Sequence, residues 1–273
     1  MATLSDVLTT LRRGAAIFRT LPPQHITPDM LYVGNNAVVC RCWMAGVEYA
    51  IKCYPRKHRN ARAIYGDTLY EGELAIQNFI GAVEWVDVVV RPWVEGRTLD
   101  KFFRDPTTDY CKLSESFERL ALDTLRGDRA HGDIKPENIV VTTNGDMQFI
   151  DFDATWVPGF ELGDIEELGT PSFSYPGRAV THFDKSIDDF PIALIATMLA
   201  AMAYRREMFE QSIDADNSLF YTRAVVSGSD MMLNKALSIF ERKSDKRHYA
   251  IAIALYNCPG PIPNLLPLLE GRL

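Results

Sequence analysis

Residues 131–138 of this chain read His-Gly-Asp-Ile-Lys-Pro-Glu-Asn, and residues 150–153 read Ile-Asp-Phe-Asp. Between these segments, two apolar runs flank residues 143–146, Thr-Asn-Gly-Asp, a composition typical of a tight β-hairpin turn. A hairpin returns the chain to the end at which it started, so it brings the two polar segments side by side. We therefore expect three of their side chains to converge on one site: Asp133, Asn138 and Asp151.

In both spacings this pattern resembles the protein kinases, in which a catalytic loop H-R-D-x-x-x-x-N precedes a metal-binding D-F-G by a short hairpin. The resemblance implies that Asp133 is the catalytic base, that Lys135 contacts the transferring phosphoryl group, and that Asn138 and Asp151 bind metal. It also implies ATP and Mg²⁺. Phosphoryl transfer needs metal ions to neutralise the phosphates and a carboxylate to orient the attacking hydroxyl, so these residue types suit the reaction.

The strand that ends Tyr-Ala-Ile-Lys at Lys52 resembles the V-A-I-K strand of the same family. This similarity implies that Lys52 contacts the α- and β-phosphates and that Ala50 lies over the adenine ring. The family lysine also pairs with a glutamate on a neighbouring helix, and the nearest acidic residues here are Glu71 and Glu73. The sequence around Glu73 is equally typical of a strand, so the identity of such a partner stays open.

Two further segments resemble nucleotide-binding parts of the family. The run Gly-Asn-Asn-Ala-Val-Val that starts at Gly34 falls where the family has its glycine-rich loop, which implies nucleotide contacts from Gly34 and Val39. Only one of the three family glycines is present. Because glycine lets the backbone approach the phosphates closely, the missing glycines predict weaker nucleotide binding. The run Arg-Pro-Trp-Val-Glu-Gly that ends at Gly96 resembles the hinge, where Pro92 offers only its carbonyl and Val94 its backbone N–H.

The acceptor of the phosphoryl group is open between two classes. Gly132 replaces the arginine of H-R-D, and His-Gly-Asp also occurs in aminoglycoside- and choline-type phosphotransferases. Residues 169–176, Gly-Thr-Pro-Ser-Phe-Ser-Tyr-Pro, resemble instead the region that shapes the peptide platform of protein kinases. We therefore expect a Ser/Thr protein kinase, with Asp188 or Asp189 bracing the catalytic loop, and a small-molecule kinase as the alternative.

A third alternative is a pseudokinase, a nucleotide-binding scaffold without turnover. The poor glycine loop and Asp153, which replaces the glycine of D-F-G, favour it. The intact set Lys52, Asp133, Asn138 and Asp151 opposes it, because a scaffold has no physical need for all four.

The bulk composition excludes several other classes. Acidic residues outnumber basic ones, 36 to 29, for a net charge of −7, so we expect neither a nucleic acid nor an anionic membrane as a partner. The five cysteines lack paired metal-ligand spacing, and we interpret them as reduced thiols of a cytoplasmic protein. The apolar stretch 190–204 is too short to span a bilayer, so it predicts a buried core helix.

These features predict an α+β chain with a two-lobed protein-kinase-like fold: a small antiparallel-sheet N-lobe over residues 28–95 and a mainly helical C-lobe over residues 96–273. An amphipathic helix is expected within residues 1–22, with Ser5 as N-cap, extending to about Thr20 and ended by Pro22 and Pro23. Its role and the oligomeric state are left open by the sequence.

Overall fold

The first third of the chain forms one antiparallel sheet, along whose strands buried and exposed residues alternate. The computed structural model describes residues 1–14, 16–21, 25–178, 182–256, 258 and 260–272, and the chain divides into the units Met1–Val94 and Glu95–Leu273. The strands of the first unit are β1 Ile17–Phe18, β2 His25–Val33, β3 Val38–Met44, β4 Val47–Tyr54, β5 Leu69–Gln77 and β6 Val83–Pro92. They pair antiparallel in the order β1-β5-β6-β4-β3-β2.

One face of this sheet carries the apolar core of the first unit. Cys40 on β3, Ile51 on β4 and Leu74 on β5 are each 0% exposed. They belong to one cluster with Val7 and Leu11 of helix α1, Leu4–Arg12. Because side chains alternate along a strand, the residues between these buried positions project from the opposite face.

The first helix is shorter than the sequence predicts. It covers Leu4–Arg12, and its N-cap is Thr3, which forms a capping box with Asp6. The expectations of Ser5 as N-cap and of a helix to about Thr20 were therefore wrong. Gly14 has a positive φ of 63°, outside the right-handed helical region, and β1 follows at residue 17. Pro22 and Pro23 lie outside the described residues.

The second unit combines a small sheet with helices. Its strands are β7 Gly96–Thr98, β8 Ile139–Thr142 and β9 Met147–Phe149, paired antiparallel in that order. The hairpin predicted around residues 143–146 is confirmed by the β8–β9 pairing. The described helices of the chain, after α1, are α2 Ala61–Tyr65, α3 Tyr110–Arg126, α4 Asp189–Phe209, α5 Thr222–Val226, α6 Met231–Lys243, α7 Lys246–Ala254 and α8 Leu265–Leu269.

Helix α4 is the core of the second unit. Residues 189–202 of this helix are all buried, and α3 and α7 pack against it. Among the described residues, the helical stretch Lys185–Ser212 is apolar and long enough to cross a membrane by composition, but 89% of its apolar window is buried inside the structure. The prediction of a buried core helix at this position is confirmed, as is the α+β class.

Candidate active site

The backbone of residues 131–133 is held by a carboxylate at the start of the core helix. Asp188, which is 1% exposed, accepts hydrogen bonds from the backbone N–H groups of His131 at 2.5 Å and Gly132 at 2.9 Å. Burial raises the pKa of Asp188, although these donors and the charges of His131 and Arg178 act in the opposite direction. Asp188, rather than Asp189, is therefore the brace of this loop, since Asp189 accepts instead from the backbone N–H of Ile262.

Gly132 occupies a position that only glycine can fill. Its φ is +84°, and a Cβ atom at this position would lie 1.9 Å from the carbonyl oxygen of Ala154. The guanidinium of Arg178, a residue 6% exposed, donates to the carbonyl oxygen of Gly132 at 2.6 Å. The absence of an arginine at position 132 therefore has a steric reason, and an arginine from a later segment reaches the same backbone.

The carboxylate of Asp133 lies at the centre of the polar site. Its Oδ1 accepts from the backbone N–H of Thr170 at 2.7 Å and from the Thr170 hydroxyl at 2.9 Å. Its Oδ2 is 3.0 Å from the ammonium of Lys135, which also donates to the Thr170 hydroxyl at 2.9 Å. Asp133, Lys135 and Thr170 thus form a closed triangle of charge-assisted hydrogen bonds.

These contacts keep Asp133 ionised. Burial alone would raise the pKa of this carboxyl, but the neighbouring Lys135 ammonium and the hydrogen bonds from Lys135 and Thr170 outweigh burial, so that the pKa is lowered. At neutral pH the group is an anion held in one orientation. Such a group can orient a hydroxyl and accept its proton as the oxygen forms a new bond.

Asn138 is tied to the same carboxylate. It is 5% exposed, and its amide nitrogen donates to the backbone carbonyl and to Oδ2 of Asp133, both at 2.9 Å. This use of the amide nitrogen leaves the amide oxygen as the group of Asn138 that can bind a cation. The turn Pro136–Asn138 leads directly into β8, so the start of this strand fixes the position of Asn138.

The β8–β9 hairpin brings the segment of Asp151 back to this loop. The backbone N–H of Ile150 donates to the carbonyl of Asn138 at 2.9 Å, and the carbonyl of Ile150 lies 2.9 Å from Nε2 of His131. The ring of His131 also packs against that of Phe152, with centroids 4.9 Å apart. The next residue along the chain from Ile150 is exposed Asp151.

Asp151 has an unusual backbone conformation. Its φ is +65°, in the left-handed region that residues other than glycine seldom adopt, and such outliers are concentrated at functional sites because the fold must hold them there. Asp153, two residues later, is 5% exposed. The left-handed turn therefore separates one exposed carboxylate from one buried carboxylate.

The donor set suits Mg²⁺. This ion binds oxygen ligands, takes one or two protein groups and completes its shell with water and phosphate oxygens. The Asn138 amide oxygen and the Asp151 carboxylate are both hard oxygen donors. The described residues contain no group of three or more His, Cys, Asp or Glu side chains that could enclose a metal ion by themselves.

Three residues implied for nucleotide binding share one face of the first unit's sheet. Val39 on β3 lies opposite Lys52 on β4, and Ala50 lies two residues before Lys52 on the same strand. The ammonium of Lys52 is 5.5 Å from the ring centroid of Tyr54, two residues further along. This face is opposite to the one that packs on α1.

The remaining nucleotide-side residues lie at the ends of strands. The N–H of Gly34 donates to the carbonyl of Ala37 at 2.9 Å, which closes the turn between β2 and β3. Pro92 is the last residue of β6, opposite Tyr49, and Val94 is the last residue of the first unit. Proline is tolerated at the end of this strand, because the hydrogen bonds between β6 and β4 do not require an N–H at this position.

Both glutamates considered as partners of Lys52 have other partners. Glu71 forms an ion pair with Arg62 at 3.5 Å. Glu73 is 2% exposed and lies on β5, where its carboxylate accepts from the backbone N–H groups of Thr20 and Leu21 at 2.7 and 2.6 Å. The strand interpretation of the Glu73 segment is confirmed, and Glu73 fastens residues 20–21 to the sheet.

Sequence reasoning missed two residues of this site. The sequence signal for the bonds of Thr170 to Asp133 is the Gly-Thr pair at 169–170, from which only a peptide platform was predicted. The contact between Arg178 and Gly132 has no sequence signal, because the two residues are 46 positions apart in the chain.

No family model matches the chain, and no curated protein matches it.

Proposed function

We propose that this chain is an ATP- and Mg²⁺-dependent phosphotransferase of the protein-kinase type, with the sheet unit as the N-lobe and the helical unit as the C-lobe of a kinase-like fold. The observation that carries the proposal is the ionised Asp133 held by Thr170 and Lys135, with Asn138 bonded to the same carboxylate. A structural aspartate does not need an amide, an ammonium and a hydroxyl arranged around a carboxylate whose side chain is 17% exposed.

In this mechanism Asp133 accepts a hydrogen bond from the hydroxyl of the acceptor. The hydroxyl oxygen forms a bond to the terminal phosphorus of the nucleotide, the bond from phosphorus to the leaving diphosphate breaks, and the hydroxyl proton passes to Asp133. Lys135, 3.0 Å from Asp133, carries positive charge to where the transferring group gathers negative charge. Asn138 and Asp151 would hold Mg²⁺, which neutralises the phosphate oxygens.

Nucleotide binding is assigned to the sheet face of the first unit. Lys52 would contact the phosphates, and Ala50 and Val39 would pack on the base. Gly34, Pro92 and Val94 would contribute backbone contacts from the strand ends.

The acceptor is proposed to be a hydroxyl of a protein. Residues 169–176, which resemble a peptide platform, contact the catalytic loop directly through Thr170. Ser172 of the same segment bonds to Asp216 at 2.6 Å, which joins the segment to the loop before α5. A small-molecule acceptor has no comparable support from this segment.

A second candidate is a nucleotide-binding scaffold without turnover. Its support is that Glu71 and Glu73 pair with Arg62 and with residues 20–21, so that the lysine–glutamate pair of active kinases is not made by either of them. The protein is further proposed to be cytoplasmic, supported by its five cysteines, all of which are free thiols.

The test is transfer from γ-labelled ATP with Mg²⁺ to a panel of proteins, peptides and small hydroxyl compounds, read by mass spectrometry. We expect labelled product with the wild type and none with Asp133→Asn, while both proteins give the same ATP-induced thermal shift. Equal transfer by the two proteins would remove Asp133 from its role. Binding without transfer to any acceptor would favour the scaffold.

A further inference from the structure

Arg91 has a defined position on the sheet face to which nucleotide binding is assigned. On β6 it lies directly opposite Ala50, and opposite residues of an antiparallel pair project from the same face with Cβ atoms about 4.5–5.5 Å apart. Its neighbour Val90 is 8% exposed and belongs to the core on the other face, whereas Arg91 is exposed. Arg91 therefore lies on the same face as the alanine assigned to the base, and partial burial of its guanidinium lowers its pKa.

A second arginine in the same row has a different environment. Arg41 on β3 lies opposite Ala50 from the other side, but its guanidinium is ion-paired with Glu48 and lies 5.1 Å from the ring centroid of Trp93. Its side chain is 18% exposed. Of the two arginines beside Ala50, Arg91 is the one placed at the surface.

The chemistry of arginine discriminates between purines. A guanidinium has five N–H donors and no acceptor, so it matches a base edge that presents acceptors. Guanine presents O6 and N7, both acceptors, whereas adenine presents N7 next to an amino group that is itself a donor. Tyr65 of α2 is an electrostatic neighbour of Arg91, and five donors can serve a neighbour and a base edge together.

The residue after Arg91 is compatible with guanine. Pro92 has no N–H, so its backbone offers the base only a carbonyl acceptor. Guanine carries ring and amino N–H donors on the edge next to O6, so a donor side chain at position 91 and an acceptor carbonyl at position 92 are complementary to it. Adenine can donate its amino group to the same carbonyl, so position 92 accommodates both bases, and the discrimination rests on the two acceptors, O6 and N7, that guanine alone presents to Arg91.

We propose that Arg91 makes the nucleotide site select guanine nucleotides over adenine nucleotides by binding O6 and N7 of the base. The inference rests on the proposed function and changes only the base of the preferred phosphoryl donor, from ATP to GTP. A bidentate arginine contact discriminates by about 1–3 kcal/mol, so GTP should bind at least about fivefold more tightly than ATP.

The experiment is a competition binding assay on the full chain with Mg²⁺ and four nucleotides: GTP, ITP, ATP and 7-deaza-GTP. ITP keeps O6 but lacks the amino group of guanine, and 7-deaza-GTP lacks N7. Arg91→Met removes the donors, Arg91→Lys keeps the charge without the planar fork, and Arg62→Met is the control that removes another exposed arginine of the same unit.

We expect wild type and Arg62→Met to bind GTP and ITP at least about fivefold more tightly than ATP, with 7-deaza-GTP weaker than GTP. In Arg91→Met and Arg91→Lys the ratio of GTP to ATP affinity should fall toward one. A wild-type protein that binds ATP as well as or better than GTP overturns the inference and leaves the proposed function standing. If a folded wild-type protein binds none of the four, both are overturned.

Discussion

The hydroxyl and the backbone N–H of Thr170 donate to the same oxygen of Asp133, at 2.9 and 2.7 Å. Thr170 lies 37 residues after Asp133 in the chain, so the orientation of the proposed base depends on a segment outside the catalytic loop. Hydrogen bonds therefore join the proposed catalytic carboxylate to the segment that resembles a substrate platform.

Replacing Thr170 should lower the turnover rate without lowering nucleotide affinity. Thr170→Val removes the hydroxyl bonds to Asp133 and Lys135, and hydrogen bonds to charged groups are worth about 1.5–3 kcal/mol, so we expect kcat to fall about 10- to 150-fold. Thr170→Ser keeps the hydroxyl and should retain most of the activity. Steady-state kinetics with varied nucleotide would contradict this role if KM changed and kcat did not.

Gly132→Ala should prevent stable folding of the site. The new methyl would lie 1.9 Å from the Ala154 carbonyl at a φ of +84°, which combines about 1–3 kcal/mol of backbone strain with about 1–3 kcal/mol of overpacking. The matched control is Gly159→Ala, where φ is +97° but no atom lies within 4 Å of the new methyl, so only about 1–2 kcal/mol is expected. Urea unfolding of both variants measures the difference, and equal destabilisation would refute the close approach.

The stability of the second unit should depend on the protonation of His248. Its ring nitrogens lie 2.8 Å from Glu118 and 2.6 Å from Asp245. Burial opposes the charge on the ring, but the hydrogen bonds and charges of these two carboxylates outweigh burial and raise the pKa above the usual 6.5. A raised folded-state pKa means that this stability is complete below about pH 6.5 and is lost as the pH rises through the folded-state pKa.

The measurement is the free energy of unfolding across pH 6 to 9. We expect His248→Gln to remove the part of the pH dependence that lies above about pH 6.5. It should cost about 1–3 kcal/mol at the low end, because Asp245 loses its cation whereas Glu118 keeps its ion pair with Arg247 at 2.9 Å. Lys246→Gln, a charge change two residues away on the same helix, is the control. Parallel pH profiles for wild type and His248→Gln would rule the linkage out.

Glu73 should matter for stability and not for nucleotide binding. Its buried carboxylate accepts from the backbone N–H groups of Thr20 and Leu21 and from the Thr20 hydroxyl. Glu73→Gln removes the charge that strengthens these hydrogen bonds, at a cost of about 1–3 kcal/mol. Glu71→Gln, at an exposed pair with Arg62, should cost less than about 1 kcal/mol. Loss of nucleotide affinity in Glu73→Gln, with little loss of stability, would instead identify Glu73 as a partner of Lys52.

Local spacing explains what the sequence could predict. The hairpin at residues 143–146 and the short separation of Asp133 from Asn138 are properties of neighbouring residues, and the structure contains both the hairpin and the bond between these side chains. The α+β class follows from strand patterns in the first third and the apolar helix near residue 190 in the same way. These features need no knowledge of how distant segments meet.

Contacts between distant segments explain what was missed. The partner of Glu73 lies 53 residues away at Thr20, and no periodicity links those positions. The first helix was predicted too long because its apolar spacing continues past Arg12, whereas the backbone turns at Gly14. A single glycine in a left-handed conformation overrides an amphipathic pattern that helix propensity alone would extend.

The two backbone hydrogen bonds from His131 and Gly132 to Asp188 tie the proposed chemistry to the stability of the whole second unit. Residues 131–133 form no helix or strand of their own, and Asp188 immediately precedes a helix that is buried from residue 189 to residue 202. Heat inactivation should therefore coincide with unfolding of the second unit. The amide protons of His131 and Gly132 should exchange with solvent as slowly as the amide protons of the buried helix.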